Sequence, residues 1–233
     1  MNPLHIPPTA AIARASRLTG AVLSALLLCA CSVLSPSATP PPAFYALNGA
    51  LGAPGAPRAV IGSNAAAAAQ GASQGISGQS TLIINPPRAA PGFDSQRIIY
   101  LREAHKLEYF ANSEWVDPPA RMLGPLLLAS LQNSGAFRAV VLAPGTATGE
   151  LRLETDIIRL QQEFQTRPSR VLFTLRATLL DDKTRRVLAW REFDANVAAP
   201  TDDPYGGVLA ANLAVQSVLK ELVAFCEAHA RKP

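Results

Sequence analysis

The side chains best suited to covalent or metal chemistry in this sequence are three cysteines and three histidines. His5, His105 and His229 are far apart and form no HExxH, CxxC or clustered pattern. Because metal ligands usually recur at short fixed spacings, the sequence predicts neither a metal site nor a resident cofactor. It also lacks a GxSxG elbow and a glycine-rich phosphate loop, which are signatures of hydrolases and nucleotide-binding proteins.

Cys31 ends a tetrad, Leu28-Cys29-Ala30-Cys31, that resembles a bacterial lipobox. In that pattern a leucine lies three residues before the modified cysteine, and a small residue directly precedes it. The cysteine thiol then carries a thioether-linked diacylglycerol, and its amino group carries an N-acyl chain such as palmitate. The alternative is an ordinary signal peptide with two incidental cysteines. Lipidation at Cys31 is the prediction, with Cys29 removed in the signal.

Residues 1–30 have the parts of a secretory signal that this prediction requires. Arg14 and Arg17 supply positive charge, and residues 21–28 are apolar apart from Ser24. This run is shorter than the roughly 20 residues that span a bilayer as a helix. No later stretch reaches that length without charges, so no other membrane span is expected.

The residue after the predicted lipidation site is Ser32, not aspartate. By resemblance to lipoprotein sorting rules, serine here favours the outer membrane over the inner membrane. Each buried methylene of an acyl chain contributes about 0.8 kcal/mol, so an anchor with several chains is effectively permanent. We therefore expect an outer-membrane lipoprotein that faces the periplasm.

The other reactive side chains have simpler interpretations. Cys226 lies at an apolar position of the last predicted helix and has no partner for an intrachain disulfide, which favours a buried structural role. Glu150, Glu154 and Asp156 could imitate a catalytic carboxylate group, but they alternate with apolar residues as on a solvated strand face. No catalytic residue is predicted.

Composition divides the chain into a predicted signal (1–30), a tether (31–79) and a folded domain (80–233). The tether is rich in proline, glycine and alanine and holds a single charge, Arg58, so it cannot bury enough surface to offset its ordering entropy. Within it, Phe44-Tyr45-Ala46-Leu47 is a candidate to dock on the domain as an extended strand. The formal charge of +4, without basic runs interleaved with aromatics, predicts no nucleic-acid binding.

The folded domain is predicted to have the order β-β-β-α-β-β-β-β-α. Alternation and turn residues place the strands at 81–85, 97–102, 106–110, 137–142, 150–160, 170–180 and 186–197. Long adjacent strands joined by short turns favour an α+β fold, with an antiparallel or mixed sheet and two helices packed on one face.

Two Asp-Pro pairs mark the predicted starts of the helices. Asp117 is the expected N-cap of the first helix, with Pro118 at its first position, and Gly135 is the expected stop. Pro125 should kink this helix or delay its start. The second helix is expected to begin at Asp203-Pro204.

The aromatic residues Tyr45, Tyr109 and Trp115 are the candidate partner-binding residues. Tyr109 and Trp115 could line a ligand groove, although packing in the core or at the edge of the sheet is their default role. Without a catalytic group, the residues favour binding or assembly as the general function.

In order and spacing, several short motifs resemble those of the ABC-type transport auxiliary lipoprotein component family. They are Phe44-Tyr45-Ala46-Leu47, Leu82-Ile83-Ile84, Ile98-Ile99-Tyr100, Leu107-Glu108-Tyr109-Phe110, Glu114-Trp115 and Ser134-Gly135-Ala136-Phe137. The resemblance implies a non-enzymatic lipoprotein that helps a transporter to move lipids or related hydrophobic compounds. Its implied partners are ABC transporter components and a mammalian-cell-entry (MCE) type lipid-binding protein.

Two further points are left open by the sequence. An envelope-assembly lipoprotein that contacts peptidoglycan or its synthases is the alternative function. A symmetric homo-oligomer is also compatible with the sequence, because a sheet with free strand edges can pair with itself.

Overall fold

The computed structural model describes residues 41–48 and 80–230. The predicted signal, Cys31, Ser32 and most of the predicted tether lie outside these residues. The described residues form nine strands and two helices. In chain order these are β1 (Ala43–Tyr45), β2 (Thr81–Ile84), β3 (Arg88–Ala89), β4 (Arg97–Leu101), β5 (Leu107–Trp115), α1 (Pro119–Asn133), β6 (Ala139–Leu142), β7 (Leu151–Glu163), β8 (Arg170–Asp181), β9 (Val187–Ala198) and α2 (Pro204–Ala230).

The sheet is mixed, and β7 is its organising strand. On one side β7 pairs antiparallel with β8, which pairs antiparallel with β9. Along its other side β7 pairs in parallel with β2, β3 and β4 in turn. β6 extends the sheet beyond β2, and β5 and β1 extend it beyond β4. The predicted α+β class with a mixed sheet is confirmed.

β1 comes from the segment predicted to dock as an extended strand, and this prediction is confirmed. It pairs in parallel with β5, with Tyr45 opposite Trp115. The Val116 amide donates to the Tyr45 carbonyl at 2.8 Å, and Leu47 is buried in the core. The compact unit that holds the sheet accordingly begins at Pro42.

α1 begins one residue later than the sequence predicts. Pro118 occupies the N-cap position in an extended conformation, with φ −50° and ψ 136° and no side-chain cap. The reason is Pro119, since a proline disfavours helical backbone at the residue before it. Asp117 instead pairs with Arg121 at 3.3 Å. The helix continues through Pro125, and Gly135 follows its end with φ +67°, as expected for a stop.

α2 begins as predicted, because the Gly206 amide donates to the Asp203 carboxylate at 2.7 Å. The predicted apolar stripe of this helix faces the sheet, and all its members are buried: Val208, Ala211, Val215, Val218, Leu222 and Cys226. By length and composition alone α2 would also qualify as a membrane span, which the sequence reading did not anticipate. Half of its apolar window is nevertheless buried in the fold, consistent with the core helix of a folded domain.

Candidate partner-binding surfaces

The carboxylates that could imitate a catalytic group are held in ion pairs. Glu150 accepts from the Thr81 amide at 2.6 Å and pairs with Arg138 at 3.0 Å. Asp156 pairs with Arg88 at 2.8 Å, and Glu154 accepts from the Asn85 side chain at 3.1 Å. Within residues 41–48 and 80–230, no three His, Cys, Asp or Glu side chains are grouped to hold a metal ion. This pattern matches the solvated strand face and not a proton-transfer site.

The protonation behaviour of Glu150 also differs from that of a general acid. A general acid needs a raised pKa, but the Thr81 amide and then the Arg138 guanidinium lower the pKa of Glu150. Donated hydrogen bonds likewise lower the pKa of Asp181, through Thr184, and of Asp202, through Ser169. These carboxylates therefore hold turns and strand ends in their charged forms.

We expect the folded domain to lose stability in acid because of these carboxylates. Because the pKa of each carboxylate is lower in the folded state, protons bind more tightly to the unfolded chain. The carboxylates therefore stabilise the fold fully above their ordinary pKa values of 3.8 and 4.5, and this stabilisation is lost as the pH falls below those values. Urea unfolding at a series of pH values measures the effect. Glu150→Gln should reduce the loss of unfolding free energy between neutral pH and acid. An unfolding free energy of the wild-type domain that is unchanged at about pH 3 would contradict the expectation.

Cys226 lies in the core on α2, as predicted, and its side chain is buried. Burial raises the pKa of its thiol to about 12. Because the thiolate is the reactive form, this cysteine is inert in the folded domain. Its role is packing.

The glycine pair at the start of α2 permits close packing against the preceding loop and β7. A Cβ at Gly206 would lie 2.1 Å from the Thr201 carbonyl oxygen, and one at Gly207 would lie 2.1 Å from Gln162 Oε1. The Gln162 amide nitrogen donates to Ser169 Oγ at 2.9 Å and to the Asp203 carbonyl at 3.2 Å. The close approach explains why glycine occupies both positions.

The three predicted partner-binding residues occupy different environments. Tyr109 is 51% exposed on β5, with the Arg97 guanidinium 4.0 Å from its ring centre. Tyr45 is half-buried beside Tyr205, with 6.3 Å between their ring centres. Trp115 is 3% exposed, so it packs in the core and is not part of a binding surface. The structure does not gather the three residues into one site.

Trp190 on β9 is a surface feature that the sequence reading missed. Its side chain is 65% exposed on the face of the sheet opposite the helices, beside the Arg176–Glu192 ion pair at 2.6 Å. Among the described strands β9 pairs only with β8, so its outer edge is unpaired. An unpaired edge can accept an added strand, and exposed tryptophan is enriched at binding hot spots. We call this surface the β9 edge, defined by Val187–Ala198 with Trp190.

A second concave feature lies between the two helices. This groove has a volume of about 450 Å³ and is lined by residues of both helices and by Asn48, which reaches it from the segment after β1. Its walls combine apolar side chains such as Leu126 and Val223 with Lys220 and Glu227. It lies on the opposite side of the sheet from Trp190.

Solved structures of low sequence identity show a similar fold. Protein XCC0632 from Xanthomonas campestris is 24% identical over 64% of this chain and 85% of its own, with a TM-score of 0.59. An uncharacterized protein is 13% identical over 62% of this chain and 90% of its own, with a TM-score of 0.53. A comparison with curated proteins gave no match.

The described residues form a mixed sheet with two helices packed against it. The sequence model of the ABC-type transport auxiliary lipoprotein component family matches residues 64–223. The chain belongs to this family, and the resemblance found in its motifs is confirmed. Membership makes it an auxiliary component of ABC-type transport and a lipoprotein of the cell envelope.

Proposed function

We propose that this protein is a lipid-anchored accessory component of an MCE-linked ABC transport system for lipids or other hydrophobic compounds. The observation that carries the proposal is the family match over residues 64–223. In this proposal Cys31 bears the diacylglycerol and N-acyl chains and attaches the protein to the outer membrane. The protein acts by binding its partners and not by catalysis, which agrees with the ion-paired carboxylates and the buried thiol.

The β9 edge is the surface proposed to bind the MCE-type or transporter partner. Its unpaired backbone supplies hydrogen bonds to an added strand, and Trp190 supplies a large apolar contact. The ion pairs of Arg176 with Glu192 and of Arg159 with Asp194 surround it with polar side chains. A central aromatic residue within a polar rim is the common anatomy of a protein interface.

Truncating Trp190 should therefore weaken partner binding. With the full-length lipoprotein as bait, we expect Trp190→Ala to lower the apparent affinity for a co-expressed MCE-type protein by roughly tenfold or more, as for a hot-spot residue. Co-purification detects the complex, and titration of the purified proteins measures the change in affinity. Val116→Ala is the control, since Val116 is 49% exposed beyond β5 near the other end of the sheet.

Three outcomes of this experiment separate the alternatives. If Tyr109→Ala weakened partner binding and Trp190→Ala did not, the partner-binding surface would lie on β5. Recovery of cell-wall synthases alone would contradict the transport function and favour the envelope-assembly alternative. Self-association through the β9 edge, the homo-oligomer left open by the sequence, would appear as a mass change in Trp190→Ala without any partner.

A further inference from the structure

The outward side of α2 is unusual for a helix at a protein surface. Residues 204–219 contain no charged side chain. Tyr205, Leu209 and Leu213 follow one another at four-residue spacing and are 54%, 37% and 54% exposed. Surface helices normally present charged and polar residues opposite their buried face. We call these three side chains the α2 stripe.

The chain enters the folded unit beside the α2 stripe. Tyr45 packs near Tyr205, with their ring centres 6.3 Å apart. Asn212 then fixes the next residues, because its amide nitrogen donates to the Ala46 carbonyl at 3.2 Å and its oxygen accepts from the Asn48 amide at 2.7 Å. The segment 45–48 therefore runs along α2 at the level of the stripe.

The predicted lipid anchor is close to this point along the chain. Cys31 precedes Ala43 by twelve residues. Even fully extended, twelve residues span at most about 40–43 Å. An anchor at Cys31 therefore holds the domain near the bilayer, and the surface beside β1 is the part attached to the short connection. Nearness of this kind raises the local concentration of the bilayer surface at the stripe.

We propose that the α2 stripe contacts the surface of the membrane that holds the lipid anchor. This inference rests on the proposed lipidation of Cys31. Tyrosine and leucine suit the boundary between headgroups and acyl chains, where an aromatic ring has one wet and one apolar side. The absence of basic residues over 204–219 indicates contact through apolar burial and not through attraction to anionic headgroups.

This contact has a consequence for orientation. Trp190 lies on the face of the sheet opposite the helices, whereas Leu209 and Leu213 lie on the helix side. With the stripe on the membrane, the sheet face that carries Trp190 is directed away from that membrane. The β9 edge is then presented to partners in the periplasm.

Spin labelling of the full-length lipidated protein tests the inference. The two labelled variants are Leu209→Cys and Leu188→Cys, because both side chains are 37% exposed and Leu188 lies on β9. Cys226 stays unlabelled because its thiol is buried. In phosphatidylethanolamine–phosphatidylglycerol vesicles, the ratio of oxygen collisions to nickel-chelate collisions should be several-fold higher at position 209. Adding Leu213→Asp should lower that ratio.

The alternative results overturn the inference in distinguishable ways. Equal collision ratios at 209 and 188, with the lipid on Cys31 confirmed by mass spectrometry, would overturn the membrane contact and leave the proposed function intact. If the collision ratio at position 209 rose, or the label there became protected from both reagents, only after the transport partner was added, the α2 stripe would be a protein-binding surface. Absence of lipid on Cys31 would overturn both the anchor and this inference.

Discussion

Replacing Cys31 with serine should abolish lipid attachment and release the protein from the membrane. Serine cannot form the thioether to diacylglycerol, so the acyl chains, each contributing about 0.8 kcal/mol per buried methylene, are lost. Cells expressing Cys31→Ser should contain an unprocessed or soluble protein without incorporated labelled fatty acid. Fractionation of membranes and metabolic labelling measure the two effects.

Cys29 provides a matched control within the same tetrad. Because Cys29 is predicted to leave with the signal, Cys29→Ser should leave both membrane attachment and lipid labelling intact. Equal labelling of the wild-type protein and Cys31→Ser would contradict the assignment of the lipidation site.

Replacing Gly206 with alanine should destabilise the folded domain strongly. The added Cβ would lie 2.1 Å from the Thr201 carbonyl oxygen and 2.8 Å from the Thr201 amide nitrogen, and both are backbone atoms that cannot turn aside. The start of α2 must then shift, which disturbs the Asp203 cap and the packing on β7. Overpacking typically costs about 1–3 kcal/mol, and we expect the upper part of this range. Urea unfolding measures the free energy.

Gly124→Ala is the control for this substitution, because Gly124 also lies in a helix. A Cβ at Gly124 meets only Pro87 Cδ at 3.5 Å, an ordinary contact. Alanine is favoured over glycine in a helix by about 0.5–1 kcal/mol, so this variant should be as stable as the wild type or more stable. If Gly206→Ala unfolded at the same urea concentration as Gly124→Ala, the predicted clash of an added Cβ with Thr201 would be contradicted.

The features predicted well from the sequence are those with long, regular patterns. β7 and β8 alternate over many residues, and the start of α2 has a strong Asp-Pro signal, so their positions agree closely with the structure. β3 was missed because it has only two residues and exists through pairing of Arg88 and Ala89 with β7. No local pattern of that length could identify a strand.

Two other differences come from tertiary contacts. β5 extends to Trp115, well beyond the predicted residue 110, although Ala111, Asn112 and Ser113 have little preference for strands. Pairing of its last residues with β1 supplies the stabilisation. On β9 the pairing shifts near Leu188, since Leu179 pairs with Ala189 but Leu180 pairs with Val187. That shift precedes Trp190, and from Ala189 to Val197 the alternation is regular, so it places Trp190 on the face opposite the buried Phe193.

The position of β7 in the sheet also bears on how an exported chain acquires its fold. β2, β3 and β4 each pair with β7, which follows them by some sixty to seventy residues in the chain, although β4 also pairs with its neighbour β5 and β2 with β6. If the chain crosses the inner membrane from its N-terminus, these strands emerge long before β7 does. Contacts so distant in sequence form late, and an unpaired strand edge is prone to aggregate. The edges of β2, β3 and β4 that face β7 therefore stay unpaired until β7 arrives and completes the sheet.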